Sequence, residues 1–263
     1  MTPTFLTDSV TTDLDRALHY AGMWGLDALE LRTVGGPNVR VPNVDERKLL
    51  RRLEEHETSV VAVSPGLFEG PISARVSLLN EVAALSDTLA FCTRIGCSIV
   101  VASSFAPEDE VDTSAAADLL RRAGDAAVRK GVTLALLNEY DGAHASPSAL
   151  AELLALTNHP NVRAAYSPAD AALAQHDPLD LEALAPFVAL VRVRDGEGEG
   201  TDWQESVVGE GHLELTQILT MLHAHGFDGP VSLDVRREPK AKAGVRGAAN
   251  LVAAMRAAKR ANA

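Results

Sequence analysis

A single (β/α)8 barrel that spans residues 1–263 is the fold that the sequence predicts. Eight short apolar runs of β-forming residues alternate with longer Ala- and Leu-rich runs, which favours a parallel sheet with crossover helices. The length of 263 residues fits one closed barrel, and no break in composition marks a second domain. No glycine-rich phosphate-binding motif opens a predicted helix, which argues against the alternative of an open, doubly wound sheet.

The strands are predicted at the short β-rich runs, several of which follow a glycine that suits a helix-to-strand turn. They are Phe5–Val10, Ala28–Arg32, Val60–Ser64, Ser98–Ser103, Thr133–Glu139, Arg163–Ser167, Ala189–Arg194 and Val231–Arg236. Because parallel strands of a barrel end on the same side, their last residues should meet at one mouth.

The helices are predicted where apolar residues recur at spacings of three and four. They are Thr12–Met23, Asp45–His56, Pro71–Ile95, Thr113–Arg129, Ser148–Leu156, Leu179–Ala185, Leu213–His225 and Ala248–Arg260. Pro147 suits the first turn of the fifth helix, and Gly226 suits the C-cap of the seventh.

The composition restricts the classes of partner. The formal net charge is −12, whereas nucleic acids and anionic membranes bind positive surfaces, so we expect neither partner. No run of about 18 apolar residues occurs, and residues 1–8 lack the pattern of a signal peptide, which predicts a cytoplasmic protein. Cys92 and Cys97 match no zinc or redox spacing and are predicted to be reduced core thiols.

Six segments, in order along nearly the whole chain, carry motifs of a known superfamily. They are Gly25–Arg32 (GLDALELR), Val132–Glu139 (VTLALLNE), His159–Val162 (HPNV), Leu190–Asp195 (LVRVRD), Gly209–Leu213 (GEGHL) and Gly226–Asp234 (GFDGPVSLD). Each segment is weakly specific alone. Together they resemble the sugar phosphate isomerase/epimerase superfamily of xylose-isomerase-like TIM barrels, but they do not indicate a particular substrate.

The resemblance implies a divalent metal ion held by Glu, Asp, His and Glu at the C-terminal ends of strands. The matching positions are here Leu137, Ser167, Arg192 and Asp234. Leucine offers no ligand atom, and arginine carries a fixed positive charge and cannot ligate. We therefore expect no metal ion at the family site and no other cofactor.

A displaced metal site is the alternative that these residues leave open. Glu139 lies two residues after Leu137 and shares its face of the strand, and Asp170 stands where the family motif has histidine. Together with Asp234 they could supply three carboxylates, although Arg192 beside them would repel a cation.

Strand alternation predicts which side chains face the mouth of the barrel, because every second residue points inward. The last inward positions carry three acids and four arginines. They are Glu30, Glu139, Asp234, Arg32, Arg192, Arg194 and Arg236. Since burying these charges unpaired would cost several kcal/mol each, they should pair with one another, with water or with a ligand.

The predicted catalytic residues are Glu139, Arg192 and Asp234. Arg192 could stabilise an enolate-like oxyanion, and Glu139 or Asp234 could move a proton. The predicted substrate-binding residues are Glu30, Arg32, Ser167, Arg194, Arg236, His144, His212 and Trp203. The last three are included because they lie in loops that follow the fifth and seventh predicted strands.

The leading functional hypothesis is a metal-independent enzyme that transfers protons on a small carbonyl or anionic substrate, as an isomerase, epimerase, lyase or cyclase. The alternative is a non-catalytic barrel that binds a ligand or partner, with its charges paired among themselves. A DNA repair endonuclease, a class also found among related barrels, is disfavoured by the acidic charge and the missing metal ligands. A homodimer is the default expectation for such an enzyme, and the sequence leaves the assembly open.

Overall fold

The computed structural model describes residues 1–109, 112–198 and 200–262, apart from the side chains of residues 75–79. Eight parallel strands close into a barrel. In chain order the strands of the protein are β1 (Thr2–Leu6), β2 (Ala28–Leu31), β3 (Ser59–Val63), β4 (Ile99–Ser103), β5 (Thr133–Leu137), β6 (Val162–Tyr166), β7 (Val188–Val193), β8 (Asp195–Glu197), β9 (Gln204–Ser206) and β10 (Pro230–Leu233). The predicted (β/α)8 barrel is confirmed.

The barrel closes where β10 pairs with β1, from Thr2 opposite Pro230 to Phe5 opposite Leu233. On its other side β10 pairs with β7. The two remaining strands, β8 and β9, form a separate antiparallel hairpin. This hairpin follows β7 directly, so it stands at the C-terminal face, where barrels of this type carry their functional loops.

Eight α-helices surround the barrel in the described part of the chain. They are α1 (Leu14–Trp24), α2 (Glu46–Glu55), α3 (Arg75–Ile95), α4 (Thr113–Val128), α5 (Pro147–Thr157), α6 (Pro168–Leu173), α7 (Leu215–Ala224) and α8 (Lys240–Ala261). Side chains of Asp13, Asp45, Asp112 and Ser146 accept hydrogen bonds from the first turns of α1, α2, α4 and α5, as N-cap residues do. No helix among the described residues is long and apolar enough to cross a membrane.

The predicted helix at Leu179–Ala185 is wrong. The helix between β6 and β7 is α6, which begins directly after the strand because Ser167 caps it and Pro168 occupies its first turn. Leu181 and Leu184 are buried, but they anchor a turn rather than a helix. A spacing of three between apolar residues therefore does not distinguish a buried turn from a helix.

The first strand and the last helix also begin earlier than predicted. β1 ends at Leu6 because Thr7–Ser9 forms a 3-10 turn, and α8 begins at Lys240, directly after Pro239. Apolar side chains fill the inside of the barrel. They include Ala62, Ile99, Val101, Ala135, Leu137, Ala165 and Leu190. A packed interior of this kind leaves the mouth as the place for polar chemistry.

Candidate active site at the barrel mouth

A buried ion pair joins β2 to β7 across the barrel. Nη2 of Arg192 donates hydrogen bonds to Oε1 of Glu30 and, at 2.9 Å, to Oγ of Ser64. The Ser64 hydroxyl in turn donates to the same Glu30 oxygen at 2.8 Å. Glu30 is fully buried and Arg192 is 6% exposed. Glu30 and Arg192, both assigned to the mouth from the sequence, therefore form one hydrogen-bonded unit with Ser64.

The charges of this pair are maintained by each other. Burial opposes ionisation of Glu30, but the charge and hydrogen bond of Arg192, with the nearby hydroxyl groups of Ser232 and Ser64, lower its pKa below the ordinary value for Glu. Burial also opposes the charge on Arg192, and Glu30 outweighs it and raises the arginine pKa. Oε2 of Glu30 and Nε of Arg192 are buried without a hydrogen-bond partner in the described part of the protein.

Glu139 differs from the other acids of the mouth. It follows β5, is partly buried, and has no ion-pair partner within 4 Å among the described residues. Burial raises its pKa above the ordinary value, and Asp170 and Asp141 add to this effect, whereas a hydrogen bond from Ser103 and the charge of Arg192 oppose it. A carboxylate with a raised pKa is a stronger base than an ordinary glutamate.

Glu139 and Arg192 line one small cavity of about 30 Å3. A water molecule needs roughly 10–15 Å3 of such space, so about two waters would fill it. Arg32, Ser64 and Ser103 also line this cavity. The cavity brings a carboxyl group of raised pKa and a fixed cation to the same small space.

Arg40 is a mouth residue that the sequence analysis missed. It belongs to the loop between β2 and α2 and lines the same cavity. Its Nε donates to the Ser64 carbonyl at 3.3 Å, and its Nη2 lies 2.9 Å from Oε1 of Glu69. Gly66 makes room for it, since a Cβ there would lie 2.5 Å from the Arg40 Cζ. The available signal was its position in a strand-to-helix loop, because such loops surround the mouth.

The other arginines predicted at the mouth are each held by a carboxylate. Arg194 donates to Oδ1 of Asp170 at 2.8 Å and to Oε1 of Glu205 at 3.2 Å. Arg236 makes a bidentate pair with Asp234, with both contacts at 2.8 Å. Arg32 donates to Oδ2 of Asp8 at 2.9 Å. Glu205 and Asp8 were not predicted as partners. Glu205 lies in the β8–β9 hairpin, and Asp8, which falls inside the first predicted strand, lies in the 3-10 turn after β1.

The residues at the family's metal positions do not fit a divalent ion. Leu137 is packed inside the barrel, Ser167 caps α6, Arg192 is paired with Glu30, and Asp234 is held by Arg236. The displaced site of Glu139, Asp170 and Asp234 is not formed either. Among residues 1–109, 112–198 and 200–262, no three His, Cys, Asp or Glu side chains come together as metal ligands.

Ser167 has a structural role rather than a position in the cavity. It is buried, its hydroxyl accepts from the Asp170 N–H at 3.3 Å, and its backbone is bound on both sides by the Asn138 amide, at 2.7 and 3.0 Å. The carboxylate expected there in the family is thus replaced by a helix cap.

A second, larger cavity lies beside the mouth under the β8–β9 hairpin. It measures about 800 Å3, and its walls include Trp203, Tyr140, Arg194 and Glu205. The Trp203 ring lies directly on Gly196, where a Cβ would come within 2.3 Å of it. Trp203 thus lines a pocket beside the mouth, and Tyr140, which directly follows Glu139, was not predicted to do so.

Asp195 fixes the hairpin from below. Its buried carboxylate accepts hydrogen bonds from the backbone N–H groups of Gly196, Gly209, Gly211 and Leu213, at 2.9, 2.9, 3.1 and 3.2 Å. Four N–H donors on one carboxylate give a rigid support, so the cavity wall formed by the hairpin is preorganised.

The two candidate histidines are not brought together with the charged residues. His144 is buried in the loop after β5, where Nδ1 donates to the Ser104 carbonyl at 2.9 Å. His212 is exposed and lies in an outer groove against α8, beside Asn250. The prediction that His212 reaches the mouth is wrong, because its N–H is bound to the Gly196 carbonyl and the chain turns outward to α7.

A family model described as xylose isomerase-like TIM barrel matches residues 18–258. Among solved structures, the IolI protein with a bound zinc atom is 18% identical, with a TM-score of 0.80 over 97% of this chain and 98% of that one. An L-ribulose 3-epimerase is 17% identical, with a TM-score of 0.75 over 99% and 97% of the two chains. The probable 3-DHS dehydratase of Bacillus anthracis is 14% identical, with a TM-score of 0.78 over 96% and 99%. No curated protein sequence matches the chain.

Proposed function

The chain belongs to the xylose isomerase-like TIM barrel family, and we propose that it is an enzyme that moves a proton on a small carbonyl compound without the family's metal ion. The observation that carries the proposal is the cavity shared by Glu139 and Arg192 at the C-terminal face of the barrel. Active sites of such barrels lie at this face. The reaction class is an isomerase, epimerase, lyase or cyclase.

Glu139 is the proposed acid and base. Its carboxylate takes the proton from the carbon next to the substrate carbonyl. The electron pair of the broken C–H bond forms a C=C bond, and the π pair of the carbonyl moves onto its oxygen to give an enolate. The resulting carboxylic acid then returns the proton to a neighbouring carbon or oxygen, or to a departing hydroxyl group. A raised pKa suits the first step because it strengthens the base, and it favours the protonated form that the second step uses.

Arg192 is the proposed electrostatic support for the enolate oxygen. Its guanidinium is fixed by Glu30 and Ser64, so little reorganisation is needed when negative charge develops. In this respect a fixed cation supplies part of the charge stabilisation that a metal ion supplies in family members that bind one. Glu30 acts through Arg192 and is a positioning residue.

One free carboxylate favours some reactions of this class over others. Asp234, the second predicted catalytic acid, is bound at both oxygens by Arg236, whereas Glu139 has no ion-pair partner within 4 Å among the residues that the structure describes. A single base can shift a proton along one face or eliminate a hydroxyl group, whereas epimerisation requires an acid on the opposite face. We therefore favour an isomerisation or an elimination.

The larger cavity of about 800 Å3 is the proposed place for the rest of the substrate. Its volume is in the range usual for small-molecule sites. Tyr140 links it to the catalytic group, since Tyr140 follows Glu139 and its N–H lies 3.4 Å from Oδ1 of Asp170. Arg194 in its wall donates to Asp170 and Glu205, and its remaining N–H groups would hydrogen-bond a polar or anionic substituent.

A non-catalytic, ligand-binding barrel is the second candidate. It is favoured by the pairing of Arg192, Arg194 and Arg236 with carboxylates and by the small volume between Glu139 and Arg192. In that case the ion pairs only close the top of the barrel, and a ligand occupies the hairpin cavity without reacting.

Hydrogen exchange separates the two candidates. Chelator-treated protein is incubated in D2O with L-ribulose or 3-DHS, the compounds named for the two structural relatives, and NMR follows loss of the proton next to the carbonyl. We expect exchange that E139Q slows at least 100-fold and that the exposed control E152Q leaves unchanged. Binding without exchange would favour the non-catalytic barrel, and exchange that needs an added divalent ion would contradict the metal-free mechanism.

A further inference from the structure

A groove on the outer wall of the barrel is independent of the mouth. It runs between α3 and α4 and has a volume of about 1130 Å3. Its floor is apolar and includes Phe68, Leu85, Leu89 and Ala123, all of them buried. A concave apolar space of this size is comparable with binding sites for small organic molecules.

The sequence of α4 explains why the space is open. Three of the α4 residues that line the groove are alanines, Ala115, Ala123 and Ala126, and Leu119 is the longest apolar one. Neighbouring helices in a barrel normally fill the space between them with interlocking side chains. The methyl groups of alanine cannot do so, and the leucines of α3 are left lining an unfilled groove.

The rim of the groove is cationic although the protein is acidic. Arg122, Arg129 and Lys130 line it, and none has a carboxylate within 4 Å among the residues that the structure describes. Asp118, the acid on the rim, is held by Arg121. A chain of net charge −12 thus exposes three unneutralised cations beside apolar surface. Cations in the last turn of a helix also favour its dipole, but that accounts for neither the groove nor Arg122.

Unpaired positive charge increases along the groove. Ala115 lies in the first turn of α4, whereas Arg129 and Lys130 directly follow its end. At 1.5 Å per residue, roughly 22 Å separates the first position from the last. Among the described residues, the charge on the rim near Ala115 is Asp118, which Arg121 holds, whereas Arg122, Arg129 and Lys130 place unpaired positive charge from the middle of the groove to its opposite end. Two occupants can be compared with this distribution of charge. An acidic amphipathic helix from a partner would need cations along the whole groove, whereas an apolar chain with one anionic end matches positive charge that increases towards Lys130.

We propose that the α3–α4 groove binds an amphiphile with an apolar chain and an anionic head group, such as a long-chain carboxylate. The chain would lie along Leu85, Leu89 and the α4 alanines, and the head would lie between Arg129 and Lys130, with Arg122 nearby. The site is separate from the residues that carry the proposed proton transfer, so either assignment can fail without the other.

Calorimetric titration with monomeric dodecanoate tests the proposal. We expect saturable binding of one molecule per chain, about fourfold weaker for each methylene group removed from the ligand, and no binding of the cationic dodecyltrimethylammonium. R129E/K130E should weaken dodecanoate binding at least tenfold. The matched control is K242E/R256E on α8, which makes the same change of charge at exposed residues that have no carboxylate within 4 Å in the described part of the chain, and it should stay within twofold of the wild type.

A groove-filling variant tests the position of the apolar chain. Ala126 is half-buried, so the larger side chain of A126L would fill part of the groove with little risk to the fold. We expect A126L to weaken dodecanoate binding and to keep the melting temperature of the wild type. The proposal is overturned if dodecanoate does not bind, if the cationic amphiphile binds equally well, if both charge variants lose affinity alike, or if anionic vesicles bind but monomeric dodecanoate does not.

Discussion

Replacing Glu30 by glutamine should be among the most destabilising single changes at the barrel mouth. The substitution keeps the shape of the side chain but removes the counter-ion of Arg192. The guanidinium is 6% exposed and has no other ion-pair partner within 4 Å in the described part of the chain. Its charge would then be left nearly buried, beside a cavity with room for about two waters.

The expected loss is about 3–5 kcal/mol of unfolding free energy, the usual cost of removing one partner of a buried pair. A domain of this size loses roughly 2–4 °C of melting temperature per kcal/mol, so the midpoint should fall by roughly 10 °C. Removing both charges should cost less than removing one, because E30Q/R192M leaves no uncompensated ion.

Urea unfolding of the wild type, E30Q, R192M and the double variant measures this directly. E152Q, on the exposed face of α5, is the control for a Glu-to-Gln change and should be within 0.5 kcal/mol or so of the wild type. The reasoning is refuted if E30Q costs less than about 1 kcal/mol, or if the double variant is as unstable as the two single losses added together.

The remaining predictions concern pH, Glu139 and the hairpin. Because the folded pKa of Glu30 lies below its unfolded value, its stabilisation is present above about pH 4.3 and is lost as pH falls through the lower folded pKa, which acid unfolding of wild type against E30Q would reveal. The folded pKa of Glu139 is raised, so its charged form opposes folding at neutral pH, and E139Q should raise the melting temperature at pH 7 but not at pH 4; a fall at pH 7 would contradict this. D195A should cost roughly 2–4 kcal/mol by leaving four backbone donors without their acceptor, measured by urea unfolding. G196A should displace the Trp203 ring and change tryptophan fluorescence, and an unchanged spectrum would refute the stacked geometry.

Arginine at a ligand position changes the chemistry of the mouth rather than removing it. A metal ion needs lone pairs directed at it, whereas Arg192 supplies positive charge and hydrogen-bond donors and therefore attracts acceptors. Glu30 and Ser64 occupy this role in the structure. The family positions for Glu, Asp and His ligands no longer carry those ligand types, and the arginine at one of them is instead neutralised by Glu30.

The fold could be read from the sequence because its signals are local and repeat along the chain. Eight β-rich runs separated by helical periodicity leave few arrangements other than a closed barrel. The helix at Leu179–Ala185 was predicted wrongly because the same apolar spacing serves a turn, while the real start signal, Ser167 followed by Pro168, lies at the end of a strand. Local patterns predict which residues are buried, but they do not predict whether those residues lie in a helix or in a turn.

Part of the site followed from the sequence for the same reason. Alternation along a strand assigns Glu30, Arg192 and Asp234 to the barrel interior or mouth, and the structure has all three buried. Arg40 and Tyr140 could not be assigned in this way, because loop residues have no fixed alternation. His212 was misplaced because a loop after a strand can also turn outward.

By itself, the sequence determined the barrel, the family and the replacement of three metal-ligand positions, since these depend on residue identity and on periodicity along the chain. Only the tertiary structure decided which charges pair. Glu30 and Arg192 are 162 residues apart, and Arg194 has carboxylate partners from both α6 and β9. Electrostatic energy depends on distance and burial rather than on order in the chain. Only the folded structure therefore identifies Glu139 as the carboxyl group without an ion-pair partner among the described mouth residues.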